Sequence, residues 1–101
     1  MVRRIVVDAY VIDSLMPDLV GHDRQPSAFL VYLYLYRQSK GRIARSATAS
    51  LQQIASDTGL SKSAVQHAIR TLKRRRLVQS RQATATAAPD YVVALPWVRS
   101  R

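Results

Sequence analysis

At 101 residues the chain has the size of one ordinary domain and is too short for two well-packed ones. Apolar residues make up 48% of it, enough for a core and too many for wholesale disorder, while sixteen basic residues face six acids for a net charge of +10. The absence of cysteine excludes disulfides, thiolate metal sites and cysteine catalysis, and fits a reducing cytoplasm.

The basic start, Met1-Val2-Arg3-Arg4, leads into no stretch of signal-peptide length with a small-residue cleavage site. Val7, Val11 and Leu15 recur at helical spacing and Leu19 extends the stripe, so residues 1–25 read as a helical N-terminal extension. Pro17 is expected to end or kink that helix, or to open a new turn for Asp18, Leu19 and Val20 before Gly21. The β-branched run Ile5-Val6-Val7 leaves a short strand at residues 4–7 as an alternative.

Residues 26–39 form the second element. Pro26 suits a first helical turn and Lys40-Gly41 a C-terminal stop. The alternation of aliphatics with Tyr32, Tyr34 and Tyr36 is also a strand signature, but so long a span without a turn signal favours a helix. This aromatic stripe reads as core packing or, alternatively, as a dimer surface. The longest apolar run, Ala28 to Tyr36, is nine residues against the roughly 20 that a membrane span needs, so a soluble intracellular protein is expected. Residues 42–49 suit a short edge strand or a loop.

Ser50-Leu51-Gln52-Gln53 is a capping box that predicts a helix from Leu51, with Leu51, Ile54 and Ala55 on one face. Gly59 supplies the left-handed residue that ends it, Leu60 plugs the turn, and Ser61 caps a helix running from Lys62 to about Arg76. Two capped helices around so short a Gly-containing turn are the helix-turn-helix signature. On the second helix Ala64, Val65, Ala68, Ile69 and Leu72 share one arc. Lys62, Ser63, Gln66, His67, Arg70, Lys73 and Arg74 fill the opposite arc, and no acid occurs between Asp57 and Asp90. Those are the side chains that read base edges and grip phosphate, with the run Lys73 to Arg76 better suited to the backbone. The strand-like runs Leu77 to Gln82 and Tyr91 to Leu95, joined by an Ala/Thr segment, should pair as an antiparallel hairpin.

The pattern from Ala28 to Leu35, then Leu51 to Ala55, Gly59-Leu60-Ser61, Val65, Ala68, Ile69, Leu72 and Leu77-Val78, resembles bacterial winged helix-turn-helix domains. It is similar to those of MarR-like and GntR-like regulators and of plasmid or phage replication initiators. The resemblance covers residues 26–98 and is strongest over 51–78. It implies an α+β, mostly helical fold: a three-helix winged helix-turn-helix core over residues 26–101 with a C-terminal hairpin wing, behind the helical extension.

The resemblance implies a small, cytoplasmic, nucleoid-associated transcriptional regulator that binds double-stranded DNA in sequence-specific fashion. The helix from Lys62 would lie in the major groove, with Ser61, Lys62, Ser63, Gln66, His67 and Arg70 facing DNA. Lys73, Arg74 and Arg81 would add backbone contacts. One departure stands out: the expected wing tip, Thr84 to Asp90, carries no basic residue, which puts wing insertion in doubt. Homodimerisation through the N-terminal helices would suit two-fold half-sites. The alternatives are a replication-initiator-type protein and a winged helix used as a protein–protein module.

Little supports catalysis. The two histidines, His22 and His67, show no zinc-ligand spacing, there is no Glu, and the three glycines are isolated. His22-Asp23 beside Gly21 reads as a capping or surface hydrogen bond. No enzyme activity, metal, cofactor or membrane contact is expected. Trp97, the only Trp, should staple the last strand to the body.

Overall fold

The computed structural model describes residues 3–40 and 45–98. Residues 3–8 have no regular structure, so the strand alternative over residues 4–7 is not realised. A strand needs a ladder partner, and the sheet of the described residues lies elsewhere in the chain. From Val11 the backbone winds as a π-helix, first Val11–Leu15 and then Pro17–His22. A strict four-residue apolar repeat drifts about 40° per step at α-helical pitch. Wider winding keeps Val11, Leu15 and Leu19 on one buried line. Pro17 opens the second stretch, following Met16, which is itself helical.

Helix α1, Pro26–Ser39, spans the residues expected of it. Lys40, at φ −65° and ψ 130°, ends it; Gly41, Arg42, Ile43 and Ala44 lie outside the described residues. Two tyrosines of the stripe are consumed inside the chain. Tyr32 and Tyr36 are buried, and the Tyr32 hydroxyl donates to the Ala94 carbonyl at 2.8 Å. Burial, reinforced by Tyr36, pushes that hydroxyl far above its usual range. The Tyr36 hydroxyl accepts from the Asp8 N–H at 3.3 Å, and that of Tyr34 donates to Asp57 at 2.7 Å.

Strand β1, Ser46–Thr48, realises the edge-strand reading of residues 42–49. Helix α2, Leu51–Thr58, starts where Ser50 Oγ accepts the Gln53 N–H at 3.0 Å. It stops at Gly59, whose φ of 80° is left-handed. Helix α3, Lys62–Arg74, starts under the Ser61 cap and ends sooner than expected. Arg76 adopts φ 59°, and Leu77 N–H reaches back to the Leu72 carbonyl at 2.9 Å. With Arg76 N–H on the Lys73 carbonyl at 3.0 Å, this is a Schellman closure built without glycine.

Strands β2, Val78–Arg81, and β3, Asp90–Val93, form the expected antiparallel hairpin. β1 joins it in the order β1-β3-β2, with Ala47 opposite Tyr91 and Val78 opposite Val93. α1 packs on α3 and on the sheet, enclosing Tyr32, Leu35, Ile54, Val65 and Leu72. Trp97 staples the chain after β3 to the body, its ring 6.5 Å from that of Tyr36 on α1, and it also reaches the N-terminal segment. Its indole N–H donates to Asp8 at 3.0 Å and its ring stacks on Tyr10 at 4.9 Å. The architecture is the α+β winged helix-turn-helix. Among the described residues no helix is long and apolar enough to cross a membrane.

Candidate nucleic-acid interface

The site is organised by the two caps. Gly59 turns the chain, Leu60 packs against the core, and the Ser61 hydroxyl accepts the Ala64 N–H at 3.1 Å. Those contacts fix the direction of α3. Val65, Ala68, Ile69 and Leu72 face inward, so Lys62, Ser63, Gln66, His67, Arg70, Lys73 and Arg74 are left exposed on the outer side. Thirteen residues of α-helix are about 20 Å long, and a major groove about 12 Å wide admits such a rod.

The wing stands beside this face. Between them lies an open cleft of about 730 Å³, with Lys62, Gln66, Arg70 and Lys73 on the α3 wall. Gln52 of α2 and Thr86 of the wing face them across it. The lining holds three cations and no carboxylate. Its polar groups are amides, hydroxyls and cations, the combination that meets base edges and phosphates.

Arg81 sits apart from this cleft. It lies opposite Asp90 in the ladder, 3.6 Å from its carboxylate, and Thr48 Oγ1 donates to the same carboxylate at 3.1 Å. The wing tip closes on itself instead: Gln82 Nε2 donates to the Ala87 carbonyl at 2.8 Å, and the Ala87 N–H reaches Thr84 Oγ1 at 3.1 Å.

The run Lys73 to Arg76, which the sequence reading assigned to the DNA backbone, does not stay on one surface. Arg75 turns away and pairs with Asp18 and, at 3.3 Å through Nε, with Asp23. α3 ends at Arg74 and Arg76 is left-handed, so the four successive cations are not carried on one helical face. Asp18, His22 and Asp23 bring donor atoms within 4.8 Å of one another. The Arg75 guanidinium already supplies the cation there, and His22 bonds Asp23 at 2.9 Å as a surface pair.

Gln25 is a neighbour of the site that sequence reasoning missed. Its amide lies 2.8 Å from His67 Nε2, while Arg70 approaches His67 Nδ1 at 3.5 Å. A neutral imidazole has one N–H and one acceptor. The Gln25 side-chain nitrogen lies at Nε2, where it donates to the ring's free lone pair. Gln25 and His67 stand 42 positions apart, and no local pattern joins them. Gln52 was missed for the same reason.

A family profile described as a helix-turn-helix domain matches residues 25–78. No curated protein and no solved structure matches the chain.

Proposed function

The chain belongs to the helix-turn-helix domain family, a DNA-binding fold, and on that premise we propose that it is a sequence-specific reader of double-stranded DNA, working as a small bacterial transcriptional regulator. The observation that supports this reading is the carboxylate-free cleft between α3 and the wing, with Lys62, Gln66, Arg70 and Lys73 on one wall. α3 enters the major groove; Gln66 and Arg70, with Lys62 and Ser63, address base edges. Ser61, His67, Lys73, Arg74 and Arg81 lie along the phosphates. Phosphate contacts carry most of the affinity and the base contacts most of the discrimination.

In this reading residues 26–101 are the DNA-binding domain and residues 1–25 its extension. The protein works without catalysis, on the nucleoid in the cytoplasm. A homodimer through the N-terminal segment would draw on Ile12 and Val20, which are exposed there.

Selection of sites from a random duplex pool at physiological salt tests the proposal. Enrichment of one motif is expected, with two half-sites about one helical turn apart if the protein binds as a dimer. Tandem direct repeats would redirect the reading to replication initiation. Absence of any enriched motif would overturn sequence-specific recognition.

A further inference from the structure

A second surface is built from residues that do not line the α3 cleft. Ile5, Leu30, Leu33 and Tyr34 line an apolar groove of about 290 Å³ between the N-terminal segment, α1 and the end of α2. Through Ile5 and Arg37 it continues into a hollow of about 460 Å³ edged by Arg3, Arg4 and Lys40. Ile5, Val6 and Leu30 are 48%, 69% and 44% exposed, three large apolar side chains gathered on one face. The strand-prone residues 3–7 make no backbone–backbone hydrogen bond among the described residues.

The charge around the groove selects its occupant. Arg3, Arg4 and Arg37 form no ion pair among the described residues, and Lys40 rests over the Tyr36 ring at 5.0 Å. The carboxylate on the lining, Asp57, is held by the Tyr34 hydroxyl at 2.7 Å. A second copy docked two-fold at this groove would set Arg3, Arg4, Arg37 and Lys40 against the same four cations.

We propose that this groove docks an acidic segment of a partner protein. Carboxylates of that segment meet Arg3, Arg4, Arg37 and Lys40, and its apolar anchors meet Ile5, Leu30 and Leu33. The inference goes beyond DNA reading and does not rest on it.

The test is selection of a random peptide library on the full chain, with and without excess random-sequence duplex. Enriched peptides should combine Asp or Glu with Leu, Ile or Phe and bind equally with duplex present. They should weaken about tenfold or more on Leu30→Glu and on Arg37→Glu, exposed helix positions whose circular dichroism stays native. Several outcomes overturn the proposal: no enrichment, acidic peptides without apolar residues, displacement by duplex, or affinity that survives both substitutions. Phosphatidylglycerol vesicles or self-association that depend on Leu30, with no peptide selected, assign the groove to a membrane or a second copy and overturn it too. Peptide capture by a chain that selects no DNA motif would overturn only the DNA reading.

Discussion

The guanidinium of Arg75, at the C-terminal cap of α3, is ion-paired with the carboxylate of Asp18 in the N-terminal π-helical segment, 57 positions earlier in the chain. The same guanidinium lies 3.3 Å from Asp23, whose side chain is only 13% exposed. One side chain thus anchors the extension to the end of α3. It also complements the negative end of that helix.

Arg75→Ala therefore leaves a largely buried Asp23 carboxylate without its cation, and should lower unfolding stability by about 1–3 kcal/mol in urea titrations. The double variant Asp23→Ala/Arg75→Ala should cost less than the two single losses added together. Additive losses would show that the two groups are energetically independent.

The two left-handed residues that frame α3 predict opposite effects. Gly59 sits at φ 80° with no atom within 4 Å of where a Cβ would be. Gly59→Ala should thus cost on the order of 1 kcal/mol from backbone strain alone. Arg76 bears that strain already at φ 59°, so Arg76→Gly should raise stability by up to about 1 kcal/mol. Thermal melts of both variants check the pair.

Burial raises the Tyr32, Tyr34 and Tyr91 hydroxyls above their ordinary value of 10.0; Tyr34, also bonded to Asp57, is pushed up to about 12. The folded state thus holds protons that the unfolded chain releases. Stability should stay level below pH 10 and fall as pH climbs towards 12. Tyr32→Phe keeps the ring but strands the Ala94 carbonyl, at a cost of about 1 kcal/mol at neutral pH, and should make the alkaline loss shallower. Denaturant midpoints against pH measure both effects.

On DNA, Arg70 and Lys73 should separate. Arg70→Ala should cost about 1–3 kcal/mol at the selected site and relax discrimination there. Lys73→Ala should weaken all duplexes alike and reduce the salt slope by about one. An equal loss from Arg70→Ala on unrelated duplexes would make Arg70 a phosphate contact.

Much of this was legible in the chain because it rests on local physics. Caps act over three or four residues, and Ser50, Gly59 and Ser61 stand where helices start and stop. A helical period reveals which side of α3 is apolar, hence which residues remain outside. Arg76 escaped prediction because a left-handed closure is normally marked by glycine.

The helix-turn-helix, its cationic outer face and the hairpin are written in local patterns, since each depends on neighbours a few positions away. The tertiary structure alone decided the partners of residues distant in sequence. It turned Arg75 away from the cationic face by pairing it with Asp18, brought Gln25 to His67, and joined Trp97 to Asp8. It also spent Tyr32 and Tyr36 on the core and left Ile5 and Leu30 exposed. Such choices follow from where packed elements bring side chains in space, and periodicity carries no record of that.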